Sequence, residues 1–194
     1  MSKASIDLVS RTDPEWARYI LRHFDAFLAN HANCERKASA LAMSLVVKYA
    51  DRTRIIPPLI DLAREELEHF RQVYALMEAR GLRLTADEKD PYVNALLATC
   101  RTQRDARFLD RLLVASIVEC RGAERFRLIH EALQDSELKA FYRTLWACEA
   151  KHANQFTTMA LEYFPAEEVY PRLEELAARE AEIVRGLSWR PSLH

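Results

Sequence analysis

Apolar positions recur every three to four residues along most of the chain, and the long runs rich in Ala, Leu, Glu and Arg are interrupted at few places. Asp13 and Pro14 open a first helix whose apolar face runs through Trp16, Ile20, Leu21, Phe24 and Leu28. The polar cluster Asn30 to Asn33 is expected to bend or interrupt it. A second run carries Glu35 and continues through Leu41, Leu45 and Val46 to about Tyr49. Asp51 to Ile56 reads as a turn, because Pro57 and Pro58 are tolerated only in a first helical turn, and the helix they open stops at Gly81. Residues 82–91 form a loop, with Asp90 and Pro91 starting a short helix to about Cys100. A long helix follows from near Asp105 to Leu133. Asp135 or Ser136 caps the next, which Pro165 ends near Tyr163. A last amphipathic helix spans about Ala166 to Leu187, and the tail 188–194 is expected to be loose. The expected architecture is all-α: one domain, 1–194, built as a four-helix bundle with additional N- and C-terminal helices.

Composition narrows the function classes. Three Gly in 194 residues leave few hairpin turns, and 49% hydrophobic with 29% charged content is that of an ordinary globular chain. No apolar stretch approaches a membrane span, and Met1 to Arg11 lack the apolar core of a secretory signal, so no membrane partner and a cytoplasmic location are expected. Cys34, Cys100, Cys120 and Cys148 form no C-x-x-C pair and fit a reducing compartment without disulfides, and Cys34, Cys120 and Cys148, each next to a candidate ligand Glu, are expected to be small buried packing residues. A formal net charge of −1 gives no bulk attraction to nucleic acid. A polyanion would have to be held by a local patch.

The chemistry lies in a doubled order: Glu35, then Glu66 with His69, and again Glu119, then Glu149 with His152. The internal separations, 66 − 35 = 31 and 149 − 119 = 30, nearly repeat. A Glu-x-x-His pair presents both side chains on one helix face a turn apart, and a hairpin sets each pair beside the lone Glu of its partner helix. One such pair alone is weak evidence, since charged residues at that spacing usually face solvent. The doubling is what points to a carboxylate-bridged two-metal site, the pattern known from ferritin-like proteins. Four carboxylates and two imidazoles suit two iron or manganese ions, and buried without metal they would repel at a cost of several kcal/mol each.

Neighbouring residues have plainer readings. Glu65 and Glu68 are turned off the ligand face and are expected in solvent. Glu124 competes with Glu119 but breaks the internal symmetry, its separation from Glu149 being only 25 (149 − 124). His31 stands one turn before Glu35 and is a candidate hydrogen-bond partner to it. Ala38, Ala42, Ala115 and Ala123 surround the ligands with small side chains, leaving either close helix packing or room for O2 and substrate. His23, His130 and His194 show no comparable pattern.

With these residues in place, residues 13–165 resemble the MiaE family of tRNA hydroxylases. The resemblance rests on "DAFLANHANCERKAS", "AREELEHFRQVYALMEARG", "DPYVNALL", "ASIVECRGAERF" and "FYRTLWACEAKHANQF". "HANCERKAS" and "CRGAERF" narrow it most. It implies a ferritin-like di-iron protein with Glu35, Glu66, His69, Glu119, Glu149 and His152 as iron ligands. It also implies O2-dependent hydroxylation of the isopentenyl group of 2-methylthio-isopentenyladenosine in tRNA. One oxygen atom of O2 leaves as water, so two external electrons are needed. No flavin or iron–sulfur motif is present, and a separate reductase or ferredoxin-type donor is expected. For tRNA, the candidate contacts are Arg101, Arg104, Arg107 and Arg111, with Arg52 and Arg54 at a turn, although a solvated helix face explains them equally well. A monomer or small homo-oligomer is expected.

The same six ligands would serve a ferritin-like ferroxidase or a rubrerythrin-like peroxidase, although rubredoxin-type cysteine pairs are absent. They would also serve a hydroxylase of another small substrate. A metal-free helical scaffold is the non-enzymatic reading.

Overall fold

The computed structural model describes residues 4–194, and every regular element among them is helical. The α-helices are α1 (Glu15–Arg22), α2 (Phe24–Lys48), α3 (Ile56–Ala79), α4 (Pro91–Ala98), α5 (Arg104–Ala132), α6 (Ser136–Leu161) and α7 (Ala166–Gly186), with a short 3-10 turn at Thr53–Ile55. Most ends sit where local chemistry demands. Asp13 accepts from the Glu15 amide at 2.9 Å and opens α1. Asp90 caps α4 by accepting from the Tyr92 and Val93 amides, and Asp135 caps α6 by accepting from those of Glu137 and Leu138. At the end of α3, Gly81 takes φ +70°, Leu82 N–H donates to Met77 O and Gly81 N–H to Glu78 O. This left-handed closure is costly for any residue with a Cβ, which is why the helix stops at glycine.

One boundary differs from expectation. The chain breaks at His23, with φ −123° and ψ 32°, and α2 runs unbroken through Asn30 to Asn33. These asparagines are tertiary anchors: Asn30 Oδ1 accepts from Leu193 N–H at 2.8 Å, and Asn33 Nδ2 donates to Thr85 O at 3.3 Å. A side-chain amide satisfied by a distant segment has no need to compete with its own helix.

The chain divides into two compact units, one of residues 18–88 with 189–193, the other the described part of Met1–Ala17 with 89–188 and 194. The first is the α2–α3 hairpin. Phe27, Leu28, Ala32, Ala42 and Leu45 of α2 are buried together with Ile55 and with Leu59, Leu62, Val73 and Met77 of α3. The end of the chain, expected to be loose, is tied down here: Arg190 donates to Glu88 at 2.6 Å, and Leu193 is buried with its amide on Asn30.

The second unit is the α5–α6 hairpin with α4 and α7 against it. Phe108, Leu112, Leu113, Ile117, Phe126 and Ile129 of α5 are buried with Tyr142, Leu145 and Phe156 of α6 and Val169, Leu173 and Leu176 of α7. Two buried carboxylates lock it further. Asp110 accepts from Arg101 and from Arg172, and Glu180 accepts from Arg121 Nε at 2.8 Å and from the Tyr92 hydroxyl at 2.9 Å. Arg121 also holds the N-terminal segment through Ser10 O, Thr12 Oγ1 and Glu124. Beside it, Arg125 lies 4.8 Å over the Trp16 ring, and burial followed by the Arg121 charge pulls its guanidinium down to about 10. His194 stacks on Tyr92 at 5.3 Å, so this last residue is also packed.

Candidate metal centre

Each hairpin gathers one half of the six-residue pattern. In the α2–α3 hairpin, Glu35, Glu66 and His69 each offer a ligand atom, and these atoms lie within 4.8 Å of one another. His69 Nδ1 stands 3.2 Å from Glu66 Oε2 and 3.6 Å from Glu35 Oε2. In the α5–α6 hairpin, Glu119, Glu149 and His152 are gathered within the same 4.8 Å limit. All six are buried, none more than 7% exposed. The helical period produces this: Glu66 and His69, like Glu149 and His152, are three residues apart and share a face.

A register pin near each triad was not foreseen from the sequence. Ser39 Oγ, one turn after Glu35, donates to Ala63 O, one turn before Glu66, at 2.8 Å. Ser116 Oγ, one turn before Glu119, donates to Ala153 O, next to His152, at 2.8 Å. Each bond crosses its hairpin and sets which residues of the two helices face each other. Serine in a helix is ordinarily an unremarkable surface residue, so nothing in the pattern singled these out. Gly122, one turn after Glu119, leaves a small space beside Glu149: a Cβ there would stand 3.8 Å from Glu149 Oε2.

His31, 0% exposed, places Nε2 2.7 Å from Glu35 Oε1. Burial alone would raise the Glu35 carboxyl, but the hydrogen bonds from His31 and His69 outweigh it and hold the group below the usual carboxylate range. Glu35 is therefore an ionised acceptor in the interior, ready to bind a cation. The donor set fits a metal pair: each triad brings two carboxylates and one imidazole into a dry interior, the oxygen-rich mixture preferred by iron and manganese over zinc or copper.

The remaining candidates separate. Glu124 is committed to Thr12 and Arg121, which leaves Glu119 as the inward carboxylate of α5. Glu68 is exposed and pairs with Arg71, whereas Glu65 is half-buried. Ala42, Ala115 and Ala123 are buried and Ala38 is half-buried. None of the four cysteines is in a disulfide, and each is half-buried, so the burial expected of Cys34, Cys120 and Cys148 is partial. Of the arginines proposed for tRNA, Arg101 is tied by its backbone and guanidinium to Asp110, which is 0% exposed, so its position serves the fold. Arg104 and Arg107 are exposed at the start of α5, and Arg111 is half-buried. Arg54 is exposed on the 3-10 turn, and Arg52, half-buried, stands 3.9 Å from Asp51. No helix among the described residues is long and apolar enough to cross a membrane.

Comparison with known proteins agrees with this donor set. The chain matches the family described as tRNA-(MS[2]IO[6]A)-hydroxylase (MiaE) across residues 3–194. It is 33% identical over 174 residues to the tRNA 2-(methylsulfanyl)-N(6)-isopentenyladenosine(37) hydroxylase of Pseudomonas putida, covering 90% of this chain and 84% of that protein. The protein of the same description from Salmonella typhimurium is 29% identical over 131 residues, 68% of this chain and 48% of that one. Among solved structures, "Protein 43 with aldehyde deformylating oxygenase activity from Synechococcus" superposes with a TM-score of 0.91 at 35% identity, covering 96% of this chain and 94% of that one. The all-helical, ferritin-like architecture expected from the sequence is borne out by that superposition.

Proposed function

This chain belongs to the MiaE family of tRNA hydroxylases, and from that premise we propose that its two buried triads together hold a pair of iron ions. Glu35, Glu66 and His69 supply one half of the donor set, Glu119, Glu149 and His152 the other. The two units then act as one ferritin-like domain. Bound there, such a pair supplies O2 activation and the oxidising power to replace an allylic C–H of the isopentenyl group by C–OH. The balance is R–H + O2 + 2 H⁺ + 2 e⁻ → R–OH + H2O. The electrons come from a separate reductase or ferredoxin-type protein in the cytoplasm, and the chain works as a monomer or small homo-oligomer.

The protein's own residues have distinct tasks. His31 donates through Nε2 to Glu35 and keeps that carboxylate oriented. Ser39 and Ser116 hold the two helices of each hairpin in register, so that a lone Glu faces its Glu-x-x-His partner. Buried aliphatic and aromatic neighbours exclude water, which protects a strong oxidant from being quenched. Arg104 and Arg107 are offered to the tRNA backbone, while Arg101, Arg111, Arg52 and Arg54 play a smaller part or none.

The observation that carries this reading is the family match over residues 3–194 combined with a full complement of six buried ligand residues. A second reading comes from the Synechococcus protein, whose aldehyde deformylating activity would need a similar oxygen-activating site. One experiment separates them. Purified chain with ferrous iron, O2 and an external reductant is given tRNA containing 2-methylthio-isopentenyladenosine, and in parallel a long-chain aldehyde. Nucleoside mass analysis showing one oxygen atom from labelled O2 in the isopentenyl group supports the hydroxylase. Formate release from the aldehyde with no labelled nucleoside would replace it.

A further inference from the structure

The α2–α3 hairpin buries one side in the interior and carries an apolar stripe on the other. On α3, Ile60, Leu67 and Tyr74 are exposed, Leu67 by 55%, and on α2 so are Met43 and Val47, the latter by 77%. The three α3 residues recur at intervals of seven, which drift by only about 20° per step, so they form one line along the helix. Glu66 and His69 turn inward from the same helix and are buried. The bond from Ser39 to Ala63 O sets Met43 level with Leu59, so Met43 and Val47 widen the stripe at its turn end. Single apolar residues on a surface are ordinary, whereas a continuous stripe marks an interaction face.

The charges beside the stripe say what covers it. Asp61, Arg64, Glu68 and Arg71 are all exposed and run acid, base, acid, base along α3. Reversed, the order is base, acid, base, acid. A second α3 laid antiparallel therefore sets Asp61 against Arg71 and Arg64 against Glu68 in both directions, each pair centred on residue 66. The same arrangement sets Ile60 against Tyr74 and Leu67 against itself, centred on residue 67. The two centres differ by one residue, about 1.5 Å, well within the reach of these side chains. Glu68 and Arg71 already pair within the helix at 2.7 Å, whereas Asp61 and Arg64 have no ion partner among the described residues. Across the two helices, Asp61 accepts from Arg71 of the other copy and Arg64 donates to its Glu68. Each internal pair then becomes a chain of four alternating charges.

We infer that two copies of this chain associate through α3, antiparallel about a twofold axis at Leu67, with Met43 and Val47 at the edge of the contact. A closed twofold contact uses the same patch on both copies and leaves none of it over for further association. At a helix width of about 10 Å the exposed strip amounts to roughly 500 Å² per copy, or about 1,000 Å² in the pair, the lower end for a specific interface. The dimer is therefore weak and concentration-dependent. The ligand side chains lie on the other side of α3, so the contact braces the helix that carries Glu66 and His69 without closing its site. This makes definite the small homo-oligomer of the reading above and does not depend on the reaction.

The full-length, iron-loaded chain is followed by sedimentation velocity over concentrations from about 1 to 200 µM, and wild type is expected to pass from monomer to dimer within that range. Leu67→Glu brings like charges together on the axis and is expected to weaken association at least tenfold. Arg64→Glu alone, or Glu68→Arg alone, sets like charges across the contact and has the same expected effect. Mixing those two variants restores opposite charges at both contacts, and the mixed pair is expected to associate within about threefold of wild type. All three positions are exposed, and unchanged melting temperatures at low concentration check that folding is intact. Wild type that stays monomeric throughout overturns the inference, and a KM for the electron donor that then rises in Leu67→Glu gives the face to that protein instead. A dimer that survives Leu67→Glu is held elsewhere on the surface and overturns it too. Failure of the mixture to associate, with each variant monomeric alone, refutes the antiparallel pairing.

Discussion

His31 offers the sharpest test of how the interior is prepared for metal. Its Nε2 lies 2.7 Å from Glu35 Oε1, with the two side chains 0% and 4% exposed, so the bond is short, charge-assisted and shielded from water. Hydrogen bonds to a charged group contribute about 1.5–3 kcal/mol. At about 1.4 kcal/mol per tenfold in an equilibrium constant, losing this one is expected to weaken iron binding by roughly 10- to 100-fold. The ring also packs 5.6 Å from Phe27, so truncation to alanine would mix a cavity effect with the loss of the bond. His31→Leu fills the space without a donor, and His31→Gln keeps a donor of similar reach. Iron affinity is measured by competition with a chelator under anaerobic conditions. Leu is expected to show the full loss and Gln to recover most of it. Wild-type affinity in the Leu variant, or equal loss in both, would refute the reasoning, the second by pointing to packing.

Three further outcomes are expected. Glu66→Ala in one triad, or Glu119→Ala or His152→Ala in the other, should lower protein-bound iron from two per chain to at most one; elemental analysis still finding two would remove that side chain from the ligand set. Glu180→Gln breaks a buried ion pair with Arg121, 0% exposed on both sides, and should cost about 3 kcal/mol, the low end for such a loss because Arg121 keeps Ser10, Thr12 and Glu124. Thermal unfolding should then fall by about 6–12 °C, against little change for the exposed Glu182→Gln, and equal shifts in the two would contradict the pairing. The third concerns acid. Burial would raise Asp90, but hydrogen bonding to His194 and to the Val93 and Tyr92 amides holds it down at about 2. A depressed carboxyl stabilises the fold above its unfolded pKa and loses that contribution as pH falls through the folded value. The stability difference between wild type and Asp90→Asn, on the order of 2 kcal/mol near neutral pH, should therefore shrink between about pH 4 and pH 2. Denaturant titrations showing a constant difference across that window would argue against it.

Much of this protein is written locally. Pro57 and Pro58, Gly81, Asp90 and Asp135 mark helix ends through backbone sterics and capping, which depend on residues a few positions apart. The six candidate ligand residues were legible for a similar reason: an i, i+3 pair shares a face by helical period alone, and a repeat of 31 and 30 residues places each pair opposite a lone Glu across a short turn. What local rules could not reach was the partner of each polar side chain. Asn30 to Asn33 looked like a helix break and proved to be anchors, because Leu193 and Thr85 satisfy Asn30 and Asn33 from 163 and 52 residues away. Arg101, a candidate phosphate contact by sequence, also pairs with buried Asp110, which Arg172 holds from 62 residues further on. The serine pins, the Arg121–Glu180 pair across 59 residues and the ordered C-terminal residues are of the same kind. A polar group's role is set by what folding brings within 3 Å of it, and only the tertiary structure decides that.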